Sequence, residues 1–430
     1  MQRVFAYYPH KGAAPSALRD CSSAPASNHS THPNNPNITT CAPFAHSLRK
    51  LYAQEHCGIT DEGLVLCHNI GVLDIFNNNK ITTCDPFAKT LHTLIANGEE
   101  CGLSDTGLTL CASISGINTT LNRKITTFEP FAKSLNTLLW LDVPEWSELE
   151  ADLDWVTHSD DDADDYNYAD HLLDDNKLYL CWNIDVLNAS RNYRIKTCVP
   201  FAKTLQKLTV KDGGSITDDL LLLCRSITDL DVANNNQITT CEPFAHTLRK
   251  LYASGNSGIS DAGLAMCTKL HTLDASGNYK ITTCIQFAKS LHTLSAAYSS
   301  MSGECGIGDE GLRACTSIVS LNASGNEKIT TCAPFAATLR TLTAACVPFS
   351  RCGITSSGLS LCTQITELIA FNNPKIITCE PFTQSLRKLS AQYLCGLSNK
   401  HIKKCTSLTE LISTGNENIT IHVNENEIRY

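Results

Sequence analysis

Apolar and polar positions alternate along this chain in short bursts that keep returning. One frame reads L-x-[AIV]-x-x-N-x-x-I. It holds Leu73, Ile75, Asn78 and Ile81, then Leu230, Val232, Asn235 and Ile238, then Leu273, Ala275, Asn278 and Ile281. A second frame, L-x-x-L-x-A, alternates with it, as in Leu48, Leu51 and Ala53 or Leu248, Leu251 and Ala253. Each burst is too short for a helix and has the period of two that a strand requires. Leu73 and Ile75 therefore face inward while Val72 and Asp74 face outward.

The bursts are registered by two anchors. One is ITTC, with isoleucines at 38, 81, 125, 195, 238, 281, 329, 376 and 419. The other is C-G-[IL]-x-D-x-G-L-x-x-C. From its last cysteine to the next ITT isoleucine is 14 residues in all eight cases, from Cys67 to Ile81 through Cys405 to Ile419. The opposite interval varies, so insertions enter each unit at one point, between the LxxLxA strand and the CG turn. A unit of about 43 residues is thus two turns, each one strand and one convex return.

The returns read as short helical pieces. In TCDPFAKTL, Pro86 suits the first helical position, Thr83 or Asp85 the cap, and Phe87, Ala88 and Leu91 the inner face. In ITDEGLVLC, Thr60 is the expected N-cap, Gly63 stands at N3, and Leu64 and Cys67 lie one helical turn apart. Glycine there marks close packing between turns. No single turn can bury its apolar side alone, so neighbours must stack into one continuous core. The asparagine three residues before each ITT isoleucine (Asn35, Asn78, Asn122, Asn192, Asn235, Asn278, Asn326, Asn373 and Asn416) is expected to satisfy backbone groups in the bend after the strand.

These turns resemble leucine-rich repeats, and CGITDEGLVLC and SGISDAGLAMC are similar to the cysteine-containing subtype of F-box proteins and some bacterial effectors. The chain also resembles short cysteine-bearing tandem repeats of large DNA viruses of amoebae. The likeness covers about residues 35–420. It implies an α/β repeat solenoid, a horseshoe or arc of about 17 turns with a parallel concave sheet and short convex helices. The expected organisation is an irregular segment at 1–34, a solenoid at 35–430, and an insertion within it at 143–169. The resemblance also implies an alternative role as the substrate-recognition subunit of a ubiquitin ligase, although residues 1–34 lack the length and apolar pattern of an F-box.

Twenty of the 22 cysteines fall on three repeating positions: ITTC, the CG turn, and the end of GLxxC. Zinc sites need local pairs such as C-x2-C, and none occurs. A nucleophile is one distinct cysteine beside a base, whereas these are many and equivalent. Phe128 replaces the cysteine at one ITTC position, which fits an apolar slot. The favoured reading is buried thiols acting as small hydrophobes, with some disulfides as the alternative. Cys21 and Cys346 are out of register and are expected to be the more exposed and reactive.

The repeat is broken once. Between Val143 and Asp170 stand 11 acids and no Lys or Arg, more than the chain's net charge of −9. All four tryptophans lie nearby, at Trp140, Trp146, Trp155 and Trp182. This insertion reads as a docking loop for a basic partner with tryptophan anchors, or as a solvated acidic stretch. DDDADDY offers oxygen ligands but lacks the glycine and final glutamate of an EF-hand.

On the outward strand positions, one set of turns carries Lys50, Tyr52, Lys207, Lys250, Tyr252 and Lys388. The alternate set carries Asp74, Asp229, Asp231, Asp274, Glu367 and Glu410. Opposite charges on adjacent turns either pair with each other or form a mixed-charge protein-binding face. No catalytic constellation, cofactor motif or metal motif is present, and the acidic balance argues against nucleic acid as the main partner. No apolar run is long enough to span a membrane, and the first twenty residues lack a secretory h-region. Expected, then, is an intracellular, non-enzymatic interaction scaffold that binds a protein through its concave face, its acidic insertion, or both.

Overall fold

The computed structural model describes residues 29–31, 35–138, 173–424 and 427–429. The acidic insertion at 143–169, with Trp140, Trp146 and Trp155, lies outside the described residues. Seventeen short strands form one parallel sheet in the order of the chain, from His29–Thr31 to Glu410–Ile412. The strand His29–Thr31 falls in the stretch expected to be irregular, and it pairs in parallel with Lys50–Tyr52. At the other end, His422–Asn424 and Glu427–Arg429 form an antiparallel hairpin after the last turn.

The register follows from the leucine frame. Leu51, Leu73, Leu94 and Ile117 lie opposite one another across successive strands, as do Leu208, Leu230, Leu251 and Leu273 further along. All are buried in a single continuous core. A one-residue slip would turn this row outward in every turn at once, so the pattern leaves one register.

After each strand the chain must turn sharply. In nearly every turn the residue four beyond the strand leucine is left-handed, as at Asn77, Asn234, Gly277, Gly325 and Asn372. Asparagine and glycine enter that region at low cost; Glu55, Leu121, Arg191 and Tyr393, with φ of 50°, 63°, 55° and 50°, hold it at a cost. The next residue in alternate turns is the repeated asparagine. Asn78 donates from Nδ2 to the Ala53 carbonyl at 2.8 Å, and its Oδ1 accepts from the Lys80 and Ile81 amides. Asn122, Asn278, Asn326 and Asn373 each donate to two carbonyls of the preceding turn.

The convex returns are 3-10 turns such as Asp85–Phe87 and single helical turns such as Asp61–Leu64. Pro86 sits at the second position of its turn, and Thr83 Oγ1 accepts the Asp85 amide at 3.1 Å, so threonine holds the start of the turn. Thr60 occupies the N-cap, yet its side chain makes no cap bond. Its neighbour serves the next turn instead. Asp61 accepts the amides of Thr82 and Thr83 and the Thr82 hydroxyl, at 2.8, 3.3 and 2.6 Å. Asp105, Asp218, Asp261 and Asp309 repeat this clasp. Gly63 lies so close to the Thr39 carbonyl of the preceding turn that a Cβ would collide with it.

Candidate functional site

The concave strands carry the outward residues singled out above. Asp229 stands between Lys207 and Lys250 on the two neighbouring strands. Its Oδ2 is 3.9 Å from Lys207 Nζ and 3.7 Å from Lys250 Nζ. Just beyond, Lys211 Nζ lies 3.2 Å from Asp231. Near the C-terminal end, Lys388 is flanked by Glu367 and Glu410, and its Nζ is 3.0 Å from Glu410. That hydrogen bond and the carboxylate's charge raise the Lys388 pKa. Lys207, Asp229, Lys250, Lys388 and Glu410 are thus joined in cross-strand ion pairs, and such exposed pairs contribute little to stability. Tyr52 and Lys50 are half-buried, and Tyr252 is 37% exposed.

Three of the acids expected on this face serve the backbone. Asp74, Asp231 and Asp274 each accept the amide two residues on, from Phe76, Ala233 and Ser276, and so fix the bend that ends the strand. Asp74 goes furthest from expectation, because it is only 6% exposed and accepts Gln54 Nε2 at 2.7 Å. Burial pushes its carboxyl above the usual carboxylate range, against the pull of those two hydrogen bonds. Asn118, Asn188 and Asn322 take the same role in other turns. This interchange of Asn and Asp was the available sign that the acid's shape, rather than its charge, is what the position uses.

No protein-family model matches the chain, and no curated protein matches it in sequence. Solved structures do resemble it. A leucine-rich-repeat protein of Leptospira interrogans has 14% identity and a TM-score of 0.50, over 85% of this chain and 90% of that one. An internalin of Listeria monocytogenes, InlF, has 19% identity and a TM-score of 0.45, over 69% of this chain and 87% of that one. The functional domain of InlJ from the same organism, which includes a cysteine ladder, has 17% identity and a TM-score of 0.39, over 77% of this chain and 64% of that one. This is a leucine-rich-repeat fold.

Within the leucine-rich-repeat core the cysteines form pairs. Each ITTC thiol meets the GLxxC thiol of the following turn; Cys379 Sγ and Cys405 Sγ are 3.2 Å apart. Cys41 with Cys67, Cys84 with Cys111 and Cys241 with Cys267 are hydrogen-bonded in the same way. The bond to the partner thiol, with burial, pushes the ITTC thiol up, while the GLxxC thiol is lowered by receiving that bond. Cys181 lacks such a thiol partner, because Phe128 occupies the ITTC position that would face it, and burial alone pushes it up to about 11. Burial likewise holds Cys305 and Cys395 at about 11. Cys346 and Cys352 differ from expectation. Their repeat positions place Cys352 with the core thiols and leave Cys346 out of register, yet a disulfide joins them: the loop after Thr341–Thr343 brings Cys346, six residues earlier, onto the CG position, with Cα atoms 5.3 Å apart.

Among the described residues no group of three or more His, Cys, Asp or Glu side chains is placed to hold a metal ion, and no helix is long and apolar enough to cross a membrane. The nineteen free cysteines of the described residues are all buried. A thiol-reactive dye added to the native protein is therefore expected to leave them unmodified and to label them once the chain is denatured. Rapid native labelling of many of them would contradict a packing role.

Proposed function

We propose that this leucine-rich-repeat chain is a non-enzymatic scaffold that binds a protein partner on its concave face. One observation carries the reading. The inward strand position is an apolar Leu or Ile in turn after turn, whereas its outward neighbours change from turn to turn among Lys, Thr, Val, Asp, Glu and Ser. The fold constrains the first set and leaves the second free to encode recognition. With three of the acids engaged by the backbone, the residues that support docking are Lys50, Tyr52, Lys207, Asp229, Lys250, Tyr252, Glu367, Lys388 and Glu410. The acidic insertion with Trp140, Trp146 and Trp155 supports a second contact, suited to a basic partner.

The test is capture from an extract of the source cells, comparing the wild-type chain with the triple variant Lys250→Glu, Tyr252→Ala, Lys388→Glu. A specific protein retained by the first and lost by the second is the expected result. Equal retention would move the site off the concave face, and recovery of no specific protein would remove the scaffold reading. A ligase adaptor among the captured proteins would instead favour substrate recognition for a ubiquitin ligase.

A further inference from the structure

The charges of the described residues are segregated in a way that the net charge of −9 conceals. Where each convex return feeds into its strand, the chain runs along one edge of the solenoid. Lys89, Lys133, Lys203 and Lys289 stand on that edge, each directly after a buried alanine, and all four are exposed. Arg49, Arg249, Arg340 and Arg387 stand immediately before their strands and form a second row. Arg225 and Lys269 fill intermediate turns. None of them takes part in an ion pair with another described residue, whereas Arg123, Arg191 and Lys328 on the opposite edge are paired with Glu99, Asp212 and Glu304. With strands about 4.8 Å apart, the basic edge from Arg49 to Arg387 is roughly 70 Å long, with a lysine about every 10 Å in the best-ordered rows.

A single acid, Asp185, stands on this edge among the described residues. It lies in a recess of about 580 Å³ that Lys133, Asn183, Lys203 and Gln206 also line. Its Oδ1 is buried and has no hydrogen-bond partner. A buried acceptor of this kind calls for a donor.

We propose that this basic edge binds an extended acidic polypeptide segment, independently of the concave face. Carboxylate side chains would meet the two cationic rows, and a peptide N–H entering the recess would pair with the half-buried Asp185 carboxylate. A phosphodiester backbone has no such donor. A single-stranded nucleic acid also needs a succession of large aromatic faces for its bases, and apart from the imidazoles of His92, His271 and His292 the described residues offer one exposed aromatic on this edge, Trp182.

The test is fluorescence anisotropy of the full chain with labelled oligoglutamate and, separately, labelled oligothymidylate of matched charge. Oligoglutamate is expected to bind at low salt and to be released at high salt. The variant Lys133→Glu with Lys203→Glu should weaken it about tenfold or more, Asp185→Ala should weaken it, and Arg123→Glu on the opposite edge should leave it unchanged. Both lysines are exposed, and unchanged circular dichroism would show that the variants fold. Absence of oligoglutamate binding at low salt would overturn the proposal, as would indifference to the double lysine reversal. Tighter oligothymidylate binding would replace the polypeptide with nucleic acid. Binding that Asp185→Ala leaves unchanged or strengthens would also overturn the polypeptide assignment. None of these outcomes bears on the concave-face variant, so the two readings fail separately.

Discussion

Asn278→Ala is expected to cost about 3–5 kcal/mol of stability, far more than the loss of one side chain's contacts. Asn278 Nδ2 donates to Ala253 at 2.8 Å and to Ile259 at 3.2 Å, and Oδ1 accepts the Lys280 amide at 2.9 Å. Alanine removes all three bonds and leaves two carbonyls and one amide in a place that is nearly sealed from water. Each stranded group costs about 1–3 kcal/mol, less whatever a penetrating water recovers. Because a solenoid is held by nearest-neighbour interfaces, the damage should spread to the turns on both sides. Urea denaturation would show a lower midpoint, and hydrogen exchange would show lost protection around 253–259. The control is Asn236→Ala, an exposed asparagine one residue past the buried ladder residue Asn235; it should shift stability by less than about 0.5 kcal/mol. Equal effects at the two positions would mean that the ladder carries no special load.

The strand register and the asparagine ladder were legible because the repeat itself supplies the comparison. A position that stays Leu or Ile in strand after strand, or Asn in every second bend, must answer to the fold. The two threonines of ITT were legible only as a pattern. Their reason is the aspartate of D-x-G-L one turn earlier, about 21 residues away, which clasps both amides. Such a partnership between turns shows only when they are stacked. The left-handed bend could have been read from the Asn-Asn and Gly-Asn dipeptides that precede most of the ITT motifs. Asp74 shows where outward direction failed as a guide. Its Cβ points as the period of two requires, but Gln54, in the loop after the preceding strand, covers the carboxylate, and no periodicity reports what a neighbouring loop does. The basic edge was missed for a related reason: its lysines and arginines are scattered in sequence and become one row only through stacking.

Phe244→Ala should be as damaging as the loss of the asparagine, at about 3–5 kcal/mol, whereas Cys241→Ala three residues earlier should cost only about 1 kcal/mol. Both side chains are fully enclosed. Phe244 fills the space between the sheet and the convex return, and a cavity of that size relaxes only partly. Cys241 contributes little more than one sulfur and a weak S–H bond to Cys267. Cys241→Ser separates packing from polarity, because it keeps the volume and adds a hydroxyl that prefers water. Its cost should fall between the other two, at about 1–3 kcal/mol. Denaturation midpoints for the three variants would check the order. If Cys241→Ala matched Phe244→Ala, or if it weakened partner binding while the fold held, the thiol would have a role beyond packing. The expected order instead ranks the cysteine by its volume and polarity alone, which is how Phe128 can stand at the same position of another turn and leave Cys181 buried beside it.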